Sequence, residues 1–166
     1  MLDTTILRMV RESFALDADG IHGEAHWRRV YENGIRLAEV TGADAAVVGL
    51  FALLHDSCRL NDGHDPEHGA RAAAYCRSIA GSALGLTEPQ LGLLETACRG
   101  HNGGGLTGDI TVLTCWDADR LDLGRAGVKP RPDRLCTEAA RDPGILAWAY
   151  GRSVARGSAE FYESLR

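Results

Sequence analysis

The residues of this chain that could do acid–base or metal chemistry are unevenly placed: all six histidines fall between His22 and His101. A lone histidine on a helix is more often a hydrogen-bonded structural residue than a ligand, so the weight rests on the set. The strongest local element is FALLHDS (residues 51–57), where a strongly apolar run ends in adjacent His55 and Asp56. An imidazole and a carboxylate at the end of a buried helix are costly unless they are paired or bind a cation. His55 alone could cap helix carbonyls, because a helix C-terminus favours donors and cations. A carboxylate is disfavoured at that same end, which leaves Asp56 unexplained; a divalent metal accounts for both residues.

The elements that must carry these residues read as helices. Apolar positions recur at helical spacing along nearly the whole chain, and no stretch alternates as a half-buried strand would, so the fold class is all-α. Helices are predicted over about 4–15, 23–40, 43–54, 66–80, 87–99, 110–123 and 145–165. The third, AAVVGLFALL, is apolar nearly all round and too short to span a bilayer, so it belongs at the centre of the molecule. Thr87 to Gln90 forms a capping-box pattern, Pro66 suits a first helical turn, and Gly103 to Gly105 suggest a mobile loop after His101. Nothing marks a domain boundary, so one domain is expected over 1–166, its motifs lying in about 20–123 and its last helices (124–166) packed on them.

With the helices placed, the sequence resembles the HD superfamily, whose pattern is a single His, an adjacent His-Asp pair and a distant Asp on a later helix. The matching residues are His26 in HGEAHWRRVYENG, His55-Asp56 in FALLHDS and Asp119 in CWDADRLDL. The resemblance implies a compact multi-helix bundle with a metal held by His26, His55, Asp56 and Asp119. Members with two metals add two histidines between the pair and the last Asp, which places His68 and His101 in the ligand set with Asp56 bridging. A mononuclear site with His68 and His101 facing the substrate is the alternative. His and carboxylate ligands suit Mn, Fe, Co, Ni or Zn, as one or two ions. Asp117 is then a carboxylate on the substrate side or behind a ligand, or a helix surface residue.

The commonest activity in that superfamily makes a metal-dependent phosphohydrolase the expected function, acting on a nucleotide or other small phosphate ester. Asp56 would steer the attacking water. Arg59 would act on the phosphoryl group, and Asn102 and Arg120 would contribute to substrate binding, since guanidinium matches phosphate oxygens. An HD-type di-iron oxygenase would use the same six ligands, and a non-catalytic regulatory module with a structural metal is a third reading. The net charge of -5 argues against a nucleic-acid duplex partner, and Lys129 to Arg134 reads as a solvated basic turn. The first residues resemble neither a signal peptide nor a membrane span, so a cytoplasmic location without a membrane partner is expected. The five cysteines are odd in number, widely spaced and without a C-x-x-C pair, which fits reduced thiols.

Overall fold

A computed structural model describes residues 4–155, and every structural statement here concerns those residues. They form helices α1 (Thr4–Ser13), α2 (Glu24–Thr41), α3 (Ala45–Leu54), α4 (His68–Ile79), α5 (Glu88–Gly100), α6 (Ile110–Arg120), α7 (Glu138–Arg141) and α8 (Pro143–Val154), with no strand among them. None is long and apolar enough to cross a membrane. The first six helices fall where the apolar periodicity puts them, with ends shifted by a few residues. The region after α6 departs further. A 3₁₀ turn at Leu123–Ala126 ends the helix early, and the short α7 has too few residues to show a period. The expected far end of the last helix, beyond residue 155, lies outside the described residues.

α3 is the central element, packed against α2, α5 and α6. Asp44 starts it by accepting the N–H groups of Ala46 and Val47, and its Val47, Val48, Phe51, Ala52, Leu53 and Leu54 are buried. Gln90 both closes the capping box of α5 with Thr87 and donates to Asp44, so the starts of α3 and α5 are tied together. Two glycines let the helices close in. A Cβ on Gly34 of α2 would lie 2.5 Å from Val48 of α3, and one on Gly69 of α4 would lie 2.5 Å from the Cys98 carbonyl of α5.

A smaller apolar cluster, Leu37, Leu121, Leu135, Ala140 and Ala149, joins the C-terminal helices to α2 and the end of α6. The guanidinium groups of Arg36 and Arg152 both lie over the Trp148 ring of α8, at 4.5 and 4.4 Å from its centroid. Between α6 and α7 the chain turns at the exposed Arg131 and Asp133, which pair with each other, as a solvated basic turn would. Cys76, Cys98 and Cys115 are buried and Cys58 and Cys136 half-buried, all as free thiols.

The same region settles Asp117. Its carboxylate is fully buried and accepts the N–H groups of Cys136 and Thr137, at 2.7 and 2.8 Å, and the Thr137 hydroxyl at 2.8 Å. Thr137 in turn caps α7 through the Ala140 N–H. Asp117 thus anchors the returning chain to α6 and is spent on structure. Removing a buried carboxylate that satisfies three donors costs about 2–3 kcal/mol. Asp117→Ala is expected to lower Tm by roughly 4–12 °C, with metal content unchanged, as checked by thermal unfolding and metal analysis of the same sample.

Candidate metal centre

Four imidazoles meet at the ends of the central helices, and each is oriented through Nδ1. His55 closes α3 and its Nδ1 lies 3.0 Å from the Phe51 carbonyl; His101 follows α5 and lies 2.7 Å from the Cys98 carbonyl. His68 opens α4 with Nδ1 2.5 Å from the Asp65 carbonyl, and His26 of α2 has Nδ1 2.7 Å from Asp122 Oδ2. A carbonyl can only accept, so Nδ1 carries the hydrogen in the first three, and the carboxylate sets the same tautomer in His26. Each ring therefore turns Nε2 inward, the nitrogen that would carry the lone pair towards a metal.

Those lone pairs face one another. The Nε2 atoms of His26 and His55 are 3.0 Å apart, and those of His68 and His101 are 2.8 Å apart. Asp56 lies between the two pairs. Its Oδ2 is 3.5 and 3.6 Å from His26 and His55, and its Oδ1 is 3.1 and 3.5 Å from His68 and His101. Asp119 Oδ1 is 3.6 and 3.8 Å from His26 and His55, and it is buried without a hydrogen-bond partner. Converging lone pairs and an orphaned carboxylate oxygen repel unless a cation joins them. The donor spacings also suit metal–ligand bonds of roughly 2.0–2.2 Å. His26, His55 and Asp119 form one group able to hold an ion, and His55, Asp56 and His101 another. The donor set fits a divalent metal.

Electrostatics agree with this. Burial keeps His55 neutral, with its pKa pushed down to about 3. Burial would raise Asp119, yet Arg125 and the surrounding histidines hold it at about 2. Asp56, despite its own burial, is held well below the usual carboxylate range by His55, His101, His26 and His68. Asp56 also raises the proton affinity of His101 against the cost of burial, so the space between these donors favours positive charge.

The six expected ligands, His26, His55, Asp56, His68, His101 and Asp119, are thus brought together. Arg59 reaches the edge of the cluster, with Nη1 3.5 Å from Asp56 Oδ1 and 3.2 Å from His68 Nε2. Its Nε and Nη2 donate to the Asn61 and Gly63 carbonyls, so it also organises the loop after the His-Asp pair and presents no free fork. Arg120 is not directed at the cluster. Its Nη1 and Nη2 go to the Arg134 and Gly105 carbonyls, because the returning chain and the glycine loop both close over α6. Asn102 spends its amide on the Pro66 carbonyl. The glycine segment after His101 is tethered rather than free, for Gly105 is held by Arg120 and packs with Gly100 on Trp116. His22 pairs with Asp62 at 2.8 Å, and His64 is exposed.

Two residues that the sequence reading passed over stand behind the ligands. Asp122 is buried, accepts from His26 Nδ1 and is held by Arg29 at 2.5 and 3.1 Å. Arg125 bonds the Ile21 and Asp122 carbonyls and brings Nη2 to 3.7 Å from Asp119 Oδ1. Asp122 lies three residues after Asp119, a spacing that puts two helical residues on one face, and this was the available signal.

An all-helical fold with a buried His/Asp cluster compatible with metal binding is the class these observations define. No family model matches the chain, and no curated protein matches it. Among solved structures it is similar to the crystal structure of a predicted HD superfamily hydrolase from an uncultured Thermotogales bacterium. That likeness has a TM-score of 0.70 and 29% sequence identity, over 96% of this chain and 88% of the other. The chain has the fold of the HD superfamily, as its His, His-Asp and Asp elements indicate.

A carboxylate behind a ligating histidine fixes the ring and raises its basicity, and its loss typically weakens metal binding about 10–100-fold. Asp122→Asn is expected to weaken metal affinity by that factor, measured by chelator competition, while the protein stays folded.

Proposed function

We propose that the protein is a metal-dependent phosphohydrolase acting on a small phosphate ester or nucleotide. The observation that carries this reading is the set of four inward Nε2 lone pairs and two buried carboxylates. In it, His26, His55, Asp56 and Asp119 would hold one ion, and Asp56, His68 and His101 a second. Mn, Fe, Co, Ni and Zn all suit these ligands. A divalent ion supplies a water whose pKa is lowered to about 7 and a Lewis acid for a phosphoryl oxygen.

The chain's own charges favour an anion. Three buried or largely buried carboxylates, Asp56, Asp119 and Asp122, stand against three guanidinium groups, Arg59, Arg125 and Arg29. Histidines that bind a metal are neutral, so in the loaded centre this set would balance, each divalent ion would leave it net positive, and a phosphoryl group would compensate that charge where a neutral ester would not. Asp56, set between the histidine pairs, is the residue that would orient the attacking water. Access is narrow, since His26 and His55 are fully buried and the Asp119 side chain is 13% exposed. A small substrate able to insert its scissile group suits this better than a nucleic-acid duplex or a membrane surface.

The reading is tested by metal analysis followed by a hydrolysis screen against nucleotides and sugar phosphates, each candidate ion being added back. About two ions per chain are expected. His68→Ala should retain about one, because Asp56 still serves the other pair, and His55→Ala should lose both metal and turnover. Full stoichiometry and turnover in His55→Ala would contradict the proposal. So would an iron form that consumes oxygen and hydrolyses no phosphoester.

Arg59 provides a second check. Its Nη1 at the edge of the cluster can stabilise charge that develops on the phosphoryl oxygens. Arg59→Ala is expected to lower phosphoester turnover by more than tenfold, or more than about 1.4 kcal/mol, with metal content intact. Arg59→Lys should recover only part, because lysine cannot also hold the Asn61 and Gly63 carbonyls.

A further inference from the structure

We propose that Arg125 supplies the hydrogen-bond donor that meets an anionic oxygen of the substrate at the end of the cluster formed by His26, His55 and Asp119. The inference rests on the phosphohydrolase reading and adds to Arg59, at the other end of the cluster, a second residue that meets the phosphoryl group. Three arginines invite this role. Arg120 is turned to backbone carbonyls, and Arg59 has two of its three nitrogens engaged by its own loop, with the third beside His68.

Arg125 is arranged differently. Its side chain is 9% exposed, and its plane is fixed from two sides, by Nε on the Ile21 carbonyl at 2.9 Å and Nη1 on the Asp122 carbonyl at 3.2 Å. Among the described residues Nη2 makes no hydrogen bond. It faces Asp119 Oδ1 at 3.7 Å, beyond hydrogen-bond length, and that oxygen is itself buried without a partner. Asp119 Oδ1 also faces the Nε2 atoms of His26 and His55, so a cation is the partner that satisfies it. Arg125 Nη2 is then a rigidly held, charged donor with no hydrogen-bond acceptor among the described residues, set beside the carboxylate oxygen that faces His26 and His55. A donor held in this way binds a phosphoryl oxygen without paying to order its own side chain.

The test uses metal-loaded protein titrated with inorganic phosphate by calorimetry, with metal content and thermal unfolding measured on the same samples. Arg125→Lys keeps the charge but cannot hold both carbonyls and reach the position of Nη2. The variant should keep its full metal content and bind phosphate at least tenfold more weakly than the parent. If Arg125→Lys does not fold, Arg125→Gln is titrated and judged in the same way. Equal phosphate affinity in a folded, loaded variant overturns the assignment to Arg125 and leaves the phosphohydrolase reading standing. Loss of metal from the variant also overturns it, because the residue would then act through the hold of Asp119 on the ion. A loaded parent that neither binds phosphate nor hydrolyses phosphoesters overturns both.

Discussion

The interaction on which this structure turns is the opposition of lone pairs at its centre. Four imidazoles bring bare Nε2 atoms into two close pairs, and two carboxylates are buried among them. Such a cluster is unfavourable by itself, and the arrangement becomes favourable when positive charge enters it. The tautomers that create it are set by backbone carbonyls in three of the four cases. Phe51 and Cys98 lie in the last turns of α3 and α5, and the Phe51 carbonyl takes the His55 ring as a second donor beside the His55 backbone N–H. Carbonyls at the helix ends thus aim two candidate ligands.

Packing holds the pairs within reach of each other. α3 supplies His55 and Asp56 from the middle of the core, and its apolar surface is covered by α2, α5 and α6, which carry or lead to His26, His101 and Asp119. The small residues at the crossings are part of this. Gly69, beside His68, lets the start of α4 touch the end of α5, and that contact brings His68 against His101. A side chain at that point would force apart the two helices that carry one histidine pair.

Charge is distributed as carefully as shape. Arg29 holds Asp122, which holds His26, while Arg125 spans the Ile21 loop, Asp122 and the approach to Asp119. Arg59 serves the opposite end and its own loop. Each carboxylate of the centre therefore has a nearby guanidinium, and under the proposed function the positive excess of a bound metal would be compensated by an anion.

Much of this was legible in the chain itself. The all-α class, the central position of the apolar helix at 45–54 and the caps at Asp44 and Thr87 follow from local periodicity and short-range hydrogen bonding, which act within a turn or two of helix. The six donor residues were legible as types in an ordered pattern. Their convergence was decided only by tertiary structure, because it depends on which faces of distant helices meet. Asp117 and Asp119 make the point. They are two residues apart and chemically identical, yet they face different neighbours on α6, so that packing commits Asp117 to the Cys136 turn and Asp119 to the histidines. Asp122, Arg125 and Arg120 acquired their partners in the same way, from segments about 15 to 104 residues away in the chain, a separation at which local pattern carries no information.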